Sequence, residues 1–513
     1  MATGIGMLAA RELGLAVAAL LGIALALWQL EAATVGLEIS HQRLGSVPIT
    51  LVQPEAPGPR PTVVIAHGFA GSQQLMQPFA VTLARNGYIA VTFDFPGHGR
   101  NREPLHGGLA DDALASRTLL GALATVIAFA RELPEGDGRV ALLGHSMAAD
   151  IIARHTLTAG DIPATVAVSL FSPGITAAAP RNLLIIAGAL EPAFLREEGL
   201  RYLRMVGGAD ARPGATYGSF ANGSARRLVL VDGAEHIAVL YSRQSLAEAT
   251  AWLDQALGHA GNGYVAQRGP WLGLLFLGLG LLGRSSLRLL PRLSAEPCGA
   301  GLGWRGVLLV AGTPALLTPL LLAVIPIGLL PLLLGDYLTL HFAVMGLLMV
   351  LGLRLAGRPV PLGALRSWRV WLAAAGIAGF GILVLGLAID RYLTAFVPAT
   401  GTRLSLLPVV LAGLLPFFLA DEWLTRGATA PRGAHVVTKL LVLASLAIAI
   451  ALRPQELFFL AIIVPVMLVF FIAYGLISRW SWRATRQPLV AGLGNAVALA
   501  WGIAATFPIV VVP

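Results

Sequence analysis

Gly144-His145-Ser146-Met147-Ala148 is the stretch that decides how this chain is interpreted. The apolar run before it, residues 139–143, has the composition of a β-strand, and the residues after it have that of a helix. A sharp strand-to-helix turn with serine at its apex strains the serine backbone and exposes the hydroxyl above the sheet edge. Such a turn needs small flanking residues, which Gly144 and Ala148 supply. The pattern therefore predicts a nucleophilic serine at position 146.

Two downstream residues complete a pattern of nucleophilic catalysis. Glu191 follows the predicted strand Asn182–Gly188, and His236 follows the predicted strand Arg227–Val231. Since catalytic groups gather where parallel strands end, we expect both side chains to lie near Ser146. Imidazole accepts a serine proton near neutral pH, and a carboxylate on its other ring nitrogen fixes the tautomer. We predict Ser146 as nucleophile, His236 as base and Glu191 as orienting acid.

The assignment of the acid has two competitors in the same region. Asp210 is the main rival of Glu191, and Asp232 is a lesser one. The order serine, acid, histidine along the chain fits all three choices, so the sequence leaves the choice open.

The negative charge that develops on an attacked carbonyl also needs hydrogen-bond donors. His67-Gly68-Phe69 follows the predicted strand Thr62–Ala66, where a backbone N–H can point at the site. We predict that the backbone amides of Phe69 and Met147 form this oxyanion site.

The polar region alternates short apolar runs with helical stretches, which predicts an α/β fold with a mostly parallel sheet and helices on both faces. The predicted strands are Pro48–Gln53, Thr62–Ala66, Tyr88–Asp94, Arg139–Gly144, Thr165–Phe171, Asn182–Gly188 and Arg227–Val231. The segment between Phe171 and the next predicted strand is too short to form a cap domain. We expect the site to be open, or covered by segment Phe194–Asn222 or by the membrane surface.

The composition requires a large membrane-embedded part. Hydrophobic residues make up 56% of the 513 and charged residues only 12%, against roughly a quarter charged in globular domains. Leu13–Leu30 is long enough to span a bilayer, and we expect a retained anchor rather than a cleaved signal peptide. Further spans are predicted to begin near Trp271, Val307, Tyr337, Val370, Leu404, Val436, Leu457 and Leu489. The prolines within 307–334 leave open one kinked span or a broken pair.

Three regions follow from this distribution of polarity. We expect an amino-terminal transmembrane anchor at 1–34, an α/β domain at 35–265, and an all-α polytopic membrane domain of about eight helices at 266–513.

The positive charges lie mainly in alternate loops between the spans. Four loops hold 14 arginines and lysines, whereas the intervening loops hold only Arg391, Arg403 and Arg453. Because basic short loops mark the cytoplasmic side, the polar domain is predicted to be extracytoplasmic, with the amino terminus inside and the carboxyl terminus outside. The expected location is a bacterial inner or plasma membrane. The net charge of +9 therefore reflects membrane orientation, and we expect no nucleic-acid partner.

Three stretches of the polar region carry a family resemblance. They are His67-Gly68-Phe69-Ala70-Gly71-Ser72, Asp94-Phe95-Pro96-Gly97-His98-Gly99 and the serine turn at 144–148. Residues 45–260 resemble the α/β-hydrolase superfamily, especially its serine-aminopeptidase-like and monoacylglycerol-lipase-like members. The resemblance implies an α/β-hydrolase fold and a structural role for the 94–99 loop. The chain departs from the family at Ala148, where glycine is usual, and at Glu191, where aspartate is commoner.

The leading functional prediction is a membrane-embedded serine hydrolase that forms an acyl-enzyme on Ser146. An ester or amide is the expected bond, in an acyl ester or lipid-like substrate. An acyltransferase with a lipid or glycan acceptor uses the same serine chemistry, and a transport or scaffold protein with a non-catalytic domain is the third alternative. The single cysteine, Cys298, lacks metal-type spacing, and we expect neither metal nor cofactor.

Overall fold

A mixed sheet of nine strands lies in the amino-terminal half of the chain. The structure is a computed structural model that describes residues 2–109, 111–326 and 328–511, with side chains from residue 12 onward. The strands are β1 Leu37–Leu44, β2 Val47–Pro54, β3 Arg60–Ala66, β4 Ile89–Phe93, β5 Gly136–His145, β6 Thr165–Val168, β7 Leu183–Gly188, β8 Thr216–Tyr217 and β9 Arg226–Val231. Their spatial order is β1-β2-β4-β3-β5-β6-β7-β9-β8. The central pairs from β4 to β9 are parallel, and β1, β2 and β8 pair antiparallel at the edges. The predicted mostly parallel sheet is therefore confirmed.

The seven predicted strands are all present, with shifted ends. β6 ends at Val168 rather than Phe171, because Ser169 takes a positive φ of +57° that no strand accommodates. β5 begins at Gly136, three residues before the predicted start at Arg139. Two edge strands, β1 and β8, were not predicted. Most residues of β1 are exposed or half-buried, so the strand lacks the apolar run that marks the central strands.

Five helices cover the two faces of the sheet. They are α2 Gln77–Arg85, α3 Asp112–Arg131, α4 Met147–Thr158, α5 Ala193–Gly207 and α6 Arg243–Leu257. Val63 and Ile65 of β3 pack with α2 and α6, whereas Val64 and Ala66 pack with α3 and α4. Since alternate strand residues point to opposite faces, both faces are buried, as a parallel sheet requires.

Nine apolar helices in the described residues lie outside this layered domain and are long enough to cross a membrane. They are α1 Ala2–Ala32, α7 Arg268–Leu287, α8 Trp304–Leu322, α9 Gly335–Leu355, α10 Trp368–Tyr392, α11 Gly401–Thr425, α12 Ala434–Leu452, α13 Pro454–Thr485 and α14 Leu489–Thr506. α3 is also apolar enough by composition, but it packs on the sheet. The proline-rich stretch 307–334 contributes one helix, α8, and the described residues after it, 323–326 and 328–334, are not helical. This set of helices indicates a membrane protein; Met1, Val512 and Pro513 lie outside the described residues.

The two ends of the helical region differ in what they contact. At one end, Glu12 near the start of α1 forms ion pairs with Arg284 and Arg288. At the other end, Arg391 pairs with Glu31 at the end of α1. The layered domain packs on this second end, the end with few arginines.

The carboxyl-terminal segment joins the domain to the helices. The backbone of Leu105 donates to Ile509, and the backbone of Ile509 donates to Gly97, at 2.8 and 2.9 Å. On its other side, Pro508 accepts from Leu333 at 2.9 Å. The segment thus lies between a loop of the layered domain and the segment before α9, and it fixes the position of the loop that carries Gly97.

Candidate active site

Ser146 occupies a strained turn between β5 and α4. Its φ and ψ are +56° and −118°, a region that costs a non-glycine residue about 1–3 kcal/mol. The turn is held from both sides, since the Ser146 N–H donates to Val168 of β6 and its carbonyl accepts from Ala149, each at 2.8 Å. The half-buried side chain therefore stands at the carboxyl edge of the sheet.

Close packing explains the small residues around the turn. A Cβ added at Gly144 would lie 2.7 Å from the carbonyl oxygen of Ala148. A Cβ at Gly68, in the loop after β3, would meet the Ser146 Cβ at 3.1 Å. Ala148 is fully buried at the position where glycine is usual, so its methyl group fits within this packing.

Ser146, His236 and Glu191 are brought together in one hydrogen-bonded chain. His236 Nε2 lies 2.9 Å from Ser146 Oγ, and His236 Nδ1 lies 2.5 Å from Glu191 Oε1. Glu191 Oε2 accepts the backbone N–H of Gly188 at 2.9 Å, and the carboxylate is fully buried. This bond fixes the carboxylate, which in turn holds the imidazole with Nδ1 protonated and Nε2 free to accept the serine proton.

The two alternative acids are not in contact with the imidazole. Asp210 is exposed in the turn after α5, and Asp232 is exposed in the turn after β9. Among the described carboxylates, Glu191 is therefore the one that orients His236. Glutamate suits this place because it follows a short turn in which the Glu191 N–H bonds back to Gly188, so the longer side chain folds back toward the sheet.

The predicted oxyanion donors are the backbone amides of Phe69 and Met147, and both residues are close to Ser146 in the structure. Met147 is the first residue of α4, and Phe69 follows Gly68, the residue that packs against Ser146. Within the described part of the chain, neither amide donates a hydrogen bond. First-turn amides of a helix point toward its amino-terminal end, where partial positive charge favours an anion. The two donors remain available for the oxygen of an attacked carbonyl.

His145 is a member of the site that the sequence analysis missed. Its Nε2 donates to the carbonyl oxygen of His236 at 3.0 Å, which anchors the backbone of the predicted base. Burial lowers the pKa of His145 well below its ordinary value, so the ring stays neutral with its single proton on Nε2, the donor of this bond. Its position inside the serine turn was the available signal, but residue type alone does not reveal a contact ninety residues away.

The 94–99 loop is hydrogen-bonded to the segment that carries His67, Gly68 and Phe69. Buried Asp94 accepts the backbone N–H groups of Gln73 and Arg100 at 2.8 and 2.9 Å. His67 donates from Nδ1 to Gly68 and accepts the Phe95 N–H at Nε2. Burial lowers the pKa of His67, which keeps the neutral tautomer that both bonds need. The loop therefore has the structural role that the resemblance implied.

No described group of three or more histidine, cysteine, aspartate or glutamate side chains is placed to hold a metal ion.

The amino-terminal half of the chain is similar to a known protein family. Residues 57–197 match the family model described as serine aminopeptidase, S33. No curated protein matches the chain. A solved structure described as a predicted CIB-like hydrolase from Thermoplasma acidophilum is 14% identical, with a TM-score of 0.34, and the match covers 42% of this chain and 97% of that one.

Two further solved structures are similar at the same level. An epoxide hydrolase from Vigna radiata is 12% identical, with a TM-score of 0.31, over 44% of this chain and 99% of its own. A membrane phospholipase A, described as a bacterial virulence factor, is 14% identical with a TM-score of 0.32, over 50% and 98%. Sheet order, serine turn and family model together show that this chain carries a hydrolase domain of the α/β-hydrolase superfamily, joined to a polytopic helical region.

Proposed function

We propose that this protein is a serine hydrolase that cleaves an ester or amide through an acyl-enzyme on Ser146. The observation that carries the proposal is the hydrogen-bonded chain from Ser146 Oγ through His236 to Glu191, within a domain of the hydrolase type. A serine hydroxyl needs a base to become an effective nucleophile, and this arrangement supplies one at 2.9 Å.

In the first half-reaction, His236 Nε2 takes the Ser146 proton while Oγ bonds to the substrate carbonyl carbon. The carbonyl oxygen becomes an oxyanion, which the Phe69 and Met147 amides stabilise. The intermediate collapses as the bond to the leaving group breaks, and His236 returns the proton to that group. Glu191 stabilises the imidazolium that exists between these two transfers.

In the second half-reaction, water replaces the leaving group. His236 removes a proton from a water molecule as the water oxygen bonds to the acyl carbon. When the second intermediate collapses, the bond to Ser146 breaks and Oγ recovers its proton from His236. The product is a carboxylic acid, and the enzyme returns to its starting state.

The proposal is tested by labelling membranes that contain the full-length protein with a fluorophosphonate probe. The parent is expected to label, and Ser146→Ala is expected not to label. Absence of labelling in the parent would remove the serine-hydrolase assignment, and equal labelling of Ser146→Ala would remove Ser146 as nucleophile.

We further propose that residues 1–34 form a membrane anchor, 35–265 the hydrolase domain and 266–513 the membrane domain, with the hydrolase domain outside the cytoplasm. Support comes from the packing of that domain on the arginine-poor ends of the helices. Ala178 is exposed in the hydrolase domain, whereas Cys298 lies between α7 and α8, at the arginine-rich end. An impermeant thiol reagent should label Ala178→Cys on intact cells, with Cys298 protected until lysis. The reverse pattern would invert the orientation.

A further inference from the structure

Five phenylalanine rings form a continuous arc beside the candidate active site. The ring centroids of Phe69 and Phe459 lie 5.0 Å apart, those of Phe459 and Phe458 6.0 Å, and those of Phe458 and Phe194 5.8 Å. Phe171 closes the arc at 5.9 Å from Phe194. Each pair lies within the distance at which aromatic rings interact, so the arc is one contiguous apolar surface.

The two ends of the arc lie in loops next to Ser146 and Glu191. Phe69 carries one of the proposed oxyanion amides, and its neighbour Gly68 packs against Ser146. Phe194 follows Glu191 by three residues at the start of α5, and Phe171 lies in the loop after β6, whose last residue accepts the Ser146 N–H. An apolar group joined to a carbonyl at Ser146 therefore meets this surface first.

Several of these rings are not covered by protein. Phe171 is 51% exposed, Phe458 40% and Phe194 36%. Leu190, next to Glu191, is 67% exposed. Contiguous exposed apolar surface of this kind marks a site for an apolar ligand or for lipid. Its continuity with the nucleophile favours the chain of a substrate.

The middle of the arc belongs to a membrane helix. Phe458 and Phe459 lie in the first turns of α13, at the end that faces the hydrolase domain. Val469 and Ile472 are 66% and 58% exposed, and they lie about three and four turns further along the same face as Phe458. An apolar stripe thus runs from the lipid-facing surface of α13 to the mouth of the active site.

We propose that this stripe and the phenylalanine arc form the acyl-chain site of the enzyme, and that the substrate is a long-chain acyl ester that enters laterally from the bilayer. Phe458 and Phe459 determine the specificity for chain length. The membrane domain thereby supplies one wall of the site. This inference rests on the proposed serine hydrolase function, because it places an acyl chain whose carbonyl is attacked by Ser146.

The test uses the full-length protein in lipid nanodiscs and two fluorophosphonates, one with a butyl chain and one with a hexadecyl chain. We expect the parent to react faster with the hexadecyl probe. Phe458→Ala and Phe459→Ala should each lower the ratio of hexadecyl to butyl rates by about tenfold, because each removes apolar contact with the chain. The butyl rate should fall much less than the hexadecyl rate, because a short chain contacts less of the arc, and continued reaction with the butyl probe shows that the variant is folded.

Phe470→Ala is the matched control. Phe470 lies three turns along the same helix, where its ring stacks on Tyr474 at 5.7 Å, away from the arc. Its rate ratio should equal that of the parent.

Four results would overturn the inference. An unchanged ratio of hexadecyl to butyl rates in both arc variants would exclude the arc as the acyl-chain site. An equal fall of both rates would show that Phe458 and Phe459 have a structural role only. A parent that reacts faster with the butyl probe would exclude a long-chain substrate while leaving the serine hydrolase intact. A parent that reacts with neither probe would refute the proposed function itself, and this inference with it.

Discussion

Arg403 Nη2 donates a 2.8 Å hydrogen bond to the carbonyl oxygen of Gly97, which joins a membrane helix to a loop behind the candidate active site. The Arg403 side chain is fully buried, and its Nη1 donates to the carbonyl oxygens of Ala504 and Phe507 at 2.8 Å each. These two carbonyls lie at the carboxyl end of α14, where partial negative charge favours a cation. One guanidinium thus connects α11, α14 and the hydrolase domain.

Replacing Arg403 is expected to destabilise this junction. Arg403→Met removes the donors of three buried carbonyl groups, and the loss should be roughly 3 kcal/mol, since each uncompensated buried acceptor costs on the order of 1 kcal/mol or more. The measurement is the apparent Tm of the full-length protein in detergent. Arg369→Met, at an exposed position on α10, serves as the control and should leave Tm unchanged. An Arg403→Met protein as stable as the parent would contradict this role.

The orienting acid can be tested without a large change in shape. In Glu191→Gln the amide keeps the bond with Gly188 but no longer stabilises the imidazolium or favours the required His236 tautomer. We expect kcat for an activated ester to fall about a thousandfold or more. The control is Asp210→Asn, an exposed carboxylate that should leave kcat unaltered. If the two variants lose activity equally, Glu191 is not the acid.

The serine turn should not tolerate a larger residue at position 144. Gly144→Ala would place a Cβ 2.7 Å from the Ala148 carbonyl oxygen, so either the turn or α4 must shift. We expect loss of fluorophosphonate labelling and a fall in stability of about 1–3 kcal/mol from overpacking. Gly121→Ala is the matched substitution within α3, where an added Cβ has no neighbour within 4 Å. It should retain labelling, because alanine favours a helix over glycine. Normal labelling of Gly144→Ala would show that the turn is looser than its geometry implies.

Buried His98 should make the stability of the hydrolase domain depend on pH. Burial lowers the pKa of His98 to about 3 from an ordinary value of 6.5. His98 therefore takes up a proton at a higher pH in the unfolded chain than in the folded protein, so acidification favours the unfolded chain. The stabilisation by neutral His98 is complete above about pH 6.5 and is lost as pH falls toward 3. Apparent Tm should therefore fall with acidification across this window, and the fall should be smaller in His98→Asn. An identical pH dependence in parent and variant would refute this contribution.

The central part of the hydrolase fold was predictable from sequence because buried parallel strands are continuous apolar runs. Three of these runs end next to Ser146, Glu191 and His236, and the rule that parallel strands share a carboxyl edge was enough to group the three residues. The edge strand β1 was not predictable in this way, since its residues face solvent and carry no apolar pattern. Composition also does not separate α3 from the spanning helices, because its apolar residues are buried by the sheet.

Other features of the site depend on contacts between distant parts of the chain. The sequence left Glu191, Asp210 and Asp232 as alternatives, and only the fold of the 188–191 turn shows which carboxylate meets His236. Likewise, Phe459 follows Phe69 by almost four hundred residues, and nothing local in either segment indicates that the rings touch. The long apolar stretch identifies α13 as a membrane helix but does not indicate what its first turns contact.

The acyl-enzyme on Ser146 is the central claim, and mass spectrometry of the trapped intermediate tests it most directly. Full-length protein is mixed with an activated ester, quenched in acid within the burst phase and digested. The acyl group is predicted on the peptide that contains Ser146, with the modification lost in Ser146→Ala. Steady hydrolysis of the ester with no covalent adduct, or with an adduct at another residue, would contradict the account.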